Sequence, residues 1–240
     1  MLSEKTLFLF TLLLLLLYLP FRINAQLNDT GKIYYISIGD SFAEGLKITG
    51  PSPGNCTFPA YSYADTLHYL LSKKYKNLEL LKYGRGGHTS DDLINKQLNK
   101  TIDFMKSNSG LTKFITITIG TNDVSKCNST NNTCYYNKLD SLKYNLNNII
   151  IPKLKEAGGE GVKYAASTYF WYPSLEDTLV DIYNKNEFKV ADLRSIISFS
   201  NSTICNYTYW CEYHDVHPNT DGVNTIGGLF YKILGESFLV

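Results

Sequence analysis

The chain has 240 residues, 44% apolar and 19% charged, a balance that excludes intrinsic disorder and a polytopic membrane protein and leaves enough chain for one well-buried core. Lys+Arg 23 against Asp+Glu 22 gives a formal net charge of +1, so there is neither a bulk basic field for nucleic acid nor an acidic tail. No solenoid or collagen-like period is visible.

The first element is an almost purely apolar run, Leu7 to Leu19, too short to span a bilayer. Pro20 ends it, and Ile23-Asn24-Ala25 offers a small-residue cleavage site. This layout predicts a secretory signal peptide over residues 1–25 and a single domain over 26–240, secreted and with no later membrane span. Removing 1–25 takes away Lys5, Arg22 and Glu4 and leaves no formal net charge. Glycosylation acceptors at Asn28, Asn55, Asn99, Asn128, Asn131, Asn201 and Asn206 agree with export. So do the cysteines: the short spacings Cys127–Cys134 and Cys205–Cys211 suit local disulfides, leaving Cys56 over. No C-x-x-C pair supports a zinc site.

Beyond the leader, apolar runs rich in β-branched residues alternate with helical periodicity. Lys32–Ile38 reads as a buried strand, Ala60–Lys74 as a helix, Leu78–Tyr83 as a second strand and Thr89–Met105 as one or two helices. Phe114–Ile119 is a third strand, Leu139–Ala157 a helix, Val162–Thr168 a fourth strand, Leu175–Ile197 largely helical and Asp221–Leu234 a closing helix. The alternation predicts an α/β fold, a three-layer α/β/α sandwich around a central parallel sheet. In such folds chemistry collects at the carboxyl ends of the strands.

The motifs lie there. Gly39-Asp40-Ser41 follows the first strand, Gly84 to Leu93 the second, and Gly120-Thr121-Asn122-Asp123 the third; His214-Asp215-Val216-His217-Pro218-Asn219 comes near the C-terminus. A serine at a strand-to-helix turn, glycine N–H groups, an asparagine amide and a late histidine are the parts that acyl transfer needs: nucleophile, oxyanion donors and general base.

The segment Y-I-S-I-G-D-S-F-A-E-G (35–45) resembles the first block of the SGNH (GDSL) hydrolase superfamily, with Ser41 in the nucleophile place. G-G-H-T-S-D-D-L (86–93) is similar to the second block and aligns Gly87 with the oxyanion-hole glycine. Gly120 to Asp123 resembles the third block, with Asn122 as the oxyanion-hole side chain, and His217-Pro218-Asn219 the fifth, with His217 as base. The resemblance implies a secreted serine hydrolase that cleaves carboxylic esters through an acyl-enzyme on Ser41, monomeric, with no metal or organic cofactor and no nucleic-acid partner. Its substrates would be small acyl esters, lipids or acetylated polysaccharides. A carbohydrate O-acetyl esterase, an acyltransferase and an inactive secreted binding protein are the alternative readings.

One position departs from the family pattern. The family acid commonly lies three residues before the histidine, where this chain has His214; Asp215 stands two before His217, and Glu212 is a poorer candidate. Either Asp215 or a backbone carbonyl would then orient His217. Asp40 and Asp123 read as turn-fixing residues, His88 as a surface residue with a possible role in substrate contact, and Tyr169 to Tyr172 as core or rim rather than a substrate platform.

Overall fold

The structure is a computed structural model that describes residues 31–50, 55–127, 132–199 and 202–235. The expected signal peptide and the acceptors Asn28, Asn128, Asn131 and Asn201 lie outside the described residues. From Ile33 onward the chain forms one compact unit.

Five parallel strands make the central sheet in the order β4-β1-β5-β6-β7. They are β1 (Ile33–Gly39), β4 (Leu78–Lys82), β5 (Thr112–Thr118), β6 (Lys163–Ser167) and β7 (Lys189–Ala191). A separate antiparallel pair joins β2 (Lys47–Ile48) to β3 (Cys56–Thr57), where Cys56 keeps a free thiol. Strand β1 lies between β4 and β5, with Ile33 opposite Leu78 and Gly39 opposite Thr118. Residues 35–39 of β1 and 114–118 of β5 are buried, as expected of central strands covered by helices on both faces.

The helices follow from their caps. Helix α1 (Ser41–Glu44) starts at an Asp40 cap, and α2 (Tyr63–Ser72) starts where Asp65 accepts from the Ser62 N–H at 2.8 Å. Helix α3 (Ser90–Leu93) opens on a Thr89/Asp92 capping box and runs through a π segment, Ile94–Leu98, into α4 (Asn99–Ser107). After β5 come α5 (Thr121–Val124) and α6 (Asn132–Asn145), which passes through a second π segment into α7 (Ile151–Gly158). The rest are α8 (Pro173–Lys185), α9 (Thr203–Tyr207), α10 (Trp210–Tyr213) and α11 (Thr220–Ile233). Disulfides join Cys127 to Cys134 and Cys205 to Cys211. No helix among the described residues is long and apolar enough to cross a membrane.

Sequence periodicity carried a helix across Leu175–Ile197, but α8 stops at Lys185 and the edge strand β7 follows. Asn186 closes the helix, Glu187 turns the chain at a φ of 61°, and Phe188 and Ala191 are buried beyond it. A three-residue strand offers too little alternation to show against a strong helical neighbour. Asn99 sits on the exposed side of a continuous helix.

Helix α11 closes the fold against α2. Phe230 stacks on Tyr63 with ring centroids 4.7 Å apart, and Gly227 faces Thr66 so closely that an added Cβ would lie 2.5 Å from the Thr66 Cβ. Its neighbour Gly228 faces open space. Gly227→Ala should therefore cost about 1–3 kcal/mol of stability through overpacking. Gly228→Ala should gain about 0.5–1 kcal/mol from helix propensity. Denaturant unfolding of the two variants checks the contrast, and equal effects would contradict this packing.

Candidate active site

The site begins where β1 ends. Gly39 has a φ of +131°, and a Cβ there would fall 2.0 Å from the Thr118 carbonyl oxygen of β5. Only glycine lets the two strand ends approach this closely. The Asp40 N–H then donates to that same carbonyl at 2.9 Å. The Asp40 carboxylate caps α1 through the Phe42 N–H (3.0 Å), accepts from Thr118 Oγ1 (3.1 Å) and receives the Tyr169 hydroxyl. Burial pushes this carboxyl up to about 6, even though all three hydrogen bonds favour its charged form. Asp40 thus fixes the turn that presents Ser41, as its sequence position suggests.

Ser41 is the first residue of α1, and its Oγ lies 2.8 Å from His217 Nε2. His217 Nδ1 lies 2.7 Å from Asp215 Oδ1, and the same oxygen accepts the His217 backbone N–H at 2.7 Å. Burial would raise the Asp215 carboxyl, but the hydrogen bonds and charge of His217 outweigh it and hold the group below its ordinary value. An ionised carboxylate only accepts, so Nδ1 carries the proton and Nε2 is left to accept from the Ser41 hydroxyl. The tight turn closed by Asp215 is what makes a spacing of two residues sufficient. His214, at the usual acid position, caps α10 at a φ of 53° with its ring against Trp210.

The His217 segment is tied down on both sides. Its carbonyl accepts from the Tyr209 N–H (3.1 Å), and Thr208 and Pro218 form a β-bridge. Asn219 caps α11 through the Gly222 N–H (3.0 Å) while donating its amide to the Asn206 and Thr208 carbonyls.

The second and third motifs meet at His88. Its carbonyl accepts from Asn122 Nδ2 at 3.0 Å, which sets the Asn122 amide beside the Gly87 loop. The loop is pinned to α1 by Glu44, whose carboxylate takes the Gly86 N–H (2.7 Å) and Arg85 Nη1 (2.6 Å). The backbone N–H groups of Ser41 and Gly87 have no acceptor among the described residues. Asp123 does not merely fix its own turn: its carboxylate takes the Ser90 N–H at 3.0 Å and the Ser90 hydroxyl at 2.5 Å, joining the second and third motifs. Burial pushes Asp123 also up to about 6.

Three residues support the site in ways that the sequence does not assign. Gln97, in the π segment, accepts the Gly39 N–H (2.9 Å) and donates to the Gly39 carbonyl (2.7 Å) and to His88 Nδ1 (2.8 Å). Glu44 and Tyr169 are the others. Glu44 carried a signal in its place within the first motif and Tyr169 in its place just after the fourth strand; Gln97 carried none. Tyr169 and Phe170 are buried and Trp171 is half-buried, with its indole N–H on Thr121 Oγ1 at 3.0 Å. No group of three or more His, Cys, Asp or Glu side chains among the described residues is placed to hold a metal ion.

Residues 37–224 match the GDSL-like lipase/acylhydrolase family. No curated protein sequence matches the chain. Among solved structures, the chain is similar to an acetylxylan esterase from Geobacillus stearothermophilus at a TM-score of 0.61 and 18% identity, over 85% of this chain and 94% of that one. It is similar to an extracellular lipase from Streptomyces rimosus at a TM-score of 0.51 and 16% identity, over 86% of this chain and all (100%) of that one. An alpha/beta hydrolase from the metagenome of Lake Arreo, Spain, aligns at a TM-score of 0.55 and 19% identity, over 85% and 95% of the two chains. At these identities the likeness is one of fold.

The elevated Asp40 carboxyl has a consequence for stability. In the unfolded chain the group ionises near 3.8, in the fold near 6, so raising the pH from about 4 to about 6 removes stability as the unfolded form gives up its proton first. Asp40→Asn lacks this loss. Its unfolding free energy relative to the parent should shift in the variant's favour by up to about 3 kcal/mol between pH 4 and 7. Urea titrations of both proteins across that range measure it, and a gap that stays constant with pH would contradict the assignment.

Proposed function

The chain belongs to the GDSL-like lipase/acylhydrolase family, and from that premise we propose that it is a secreted serine hydrolase cleaving carboxylic esters of short acyl groups. The observation that carries this reading is the unbroken line from Ser41 Oγ through His217 to Asp215, with contacts of 2.8 and 2.7 Å. His217 Nε2 takes the Ser41 proton as Oγ bonds to the acyl carbon, and the resulting imidazolium is steadied by Asp215. The tetrahedral oxyanion is held by the Ser41 and Gly87 N–H groups and by the second N–H of Asn122. Collapse breaks the bond to the alcohol, which leaves with the proton from His217. Water, deprotonated by His217, then attacks the acyl-enzyme and releases the acid and free Ser41.

The acyl preference rests on a hollow beside Ser41 and His217. Phe42, Leu46, Tyr63, Val223 and Ile226 line it, and its free volume is only about 10 Å³, far below that of a usual ligand pocket of roughly 300–1,000 Å³. A space of about one water-sized sphere favours an acetyl group over a long acyl chain. A carbohydrate O-acetyl esterase is the second reading that the same small hollow favours. Secretion is inferred from the apolar N-terminal run together with the two disulfides, which persist in oxidising compartments.

With p-nitrophenyl esters from acetyl to palmitoyl, kcat/KM should be highest for acetyl or butyryl, and Ser41→Ala should abolish turnover. Asp215→Asn should lower kcat by about 10²–10⁴-fold with a small change in KM, since the imidazole loses the partner that fixes its tautomer. A palmitoyl optimum would contradict the small acyl site. An Asp215→Asn enzyme with near-parental kcat would remove Asp215 from the mechanism.

A further inference from the structure

A second groove begins at the loop that carries Gly87. Gly86 and His88 lie on its wall, its volume is about 510 Å³, and its lining has four cations, Lys82, Arg85, Lys96 and Lys100, against one acid, Glu44. Lys82 is internal to the fold, bound to Asp65 at 2.7 Å and to the Ala60 carbonyl at 2.9 Å. The other three are different. Arg85 gives one arm to Glu44 at 2.6 Å while its side chain stays 62% exposed. Lys96 pairs with Asp92 at 2.7 Å and is 60% exposed. Lys100 lies over the Tyr83 ring, 4.3 Å from its centroid, with no carboxylate partner among the described residues. Arg85, Lys96 and Lys100 against Glu44 and Asp92 leave an excess positive charge here, in a protein whose overall charge is close to zero.

His88 adds a directed donor. Both N–H groups of the Gln97 amide are used, one on the Gly39 carbonyl and one on His88 Nδ1, while its oxygen takes the Gly39 N–H. His88 Nδ1 is therefore an acceptor and the ring proton sits on Nε2. The apolar hollow at Ser41 takes the acyl group, which leaves the groove flanking Gly87 for the other half of the ester.

We propose that this groove binds an anionic group, a carboxylate or phosphate, on the alcohol side of the substrate, held by Arg85, Lys96, Lys100 and the His88 Nε2–H. The assignment deepens the ester-hydrolase reading and rests on it. Charge of this kind, exposed and in water, acts mainly through KM and is screened by salt.

Three aryl acetates with the same scissile bond test it: 4-acetoxybenzamide (neutral), 4-acetoxybenzoate and 4-acetoxyphenyl phosphate. In the full-length protein, the ratio of kcat/KM for an anionic over the neutral acetate should fall about tenfold in Lys96→Ala/Lys100→Ala, an exposed charge contact contributing roughly threefold each. Raising salt should lower the parental ratio towards that of the double variant. The anion with the larger lysine-dependent gain identifies which of the two groups the groove takes. Ratios unchanged by the variant and by salt, on both anions, would overturn the proposal. If no acetate is hydrolysed, the ester-hydrolase reading fails by itself, and calorimetric titration with 4-hydroxybenzoate decides the groove. Binding weakened in the double variant supports it, and binding that is equal or absent in both proteins overturns it.

Discussion

The end of β1 is pressed against the end of β5 until no side chain fits between them. Gly39 meets the Thr118 carbonyl at a distance that excludes a Cβ, and both of its peptide groups that face away are claimed by one side chain, Gln97. The next residue returns its N–H to Thr118 and its carboxylate to Thr118, Phe42 and Tyr169. With so many bonds on two residues, the chain has one way to turn, and that turn lifts Ser41 to the opening of α1. The sheet order makes this the topological switch point, where β1 has β4 on one side and β5 on the other. Loops leaving β1, β4 and β5 diverge at this point, and the loop after β4 is bound to α1 through the Gly86 N–H on Glu44 and to the loop after β5 through Asn122 on the His88 carbonyl.

His217, the proposed base, arrives from the far end of the chain, and its placement depends on different physics. The Asp215 carboxylate closes a turn on the His217 N–H and meets the ring of the same residue, so one acid sets both the backbone and the tautomer. Asn219 then converts the segment into the start of α11, whose packing on α2 through Phe230, Tyr63 and Gly227 carries the histidine back to the sheet. Phe42, next to Ser41, packs beside the His217 ring with centroids 5.9 Å apart. Stability of the closing helix and geometry of the site are in this sense one problem.

Much of this was legible in the sequence, for a physical reason. Strands β1 and β5 are buried on both faces, so they read as unbroken β-branched and aromatic runs, and the motifs at their ends stand out against them. The helices expected from Thr89 and from Asp221 were visible through their periodicity, and the structure starts them at the caps Thr89 and Asn219. Strand β7 was hidden because three residues carry no period of their own. Gln97 was hidden because its partners are the backbone of a residue 58 positions away and a ring nitrogen, and no spacing rule encodes either. Asp215 was visible as a candidate only, since whether a residue two before the histidine reaches Nδ1 depends on a backbone turn and not on residue type.

By this geometry Ser41 is the proposed nucleophile among the many hydroxyls of the chain. Covalent trapping with a p-nitrophenyl alkylphosphonate, followed by peptide mapping, tests it most directly. One phosphonyl group per chain is expected, on Ser41, with labelling lost in His217→Ala. Labelling of another residue, or labelling of Ser41 that persists at the same rate without His217, would contradict it.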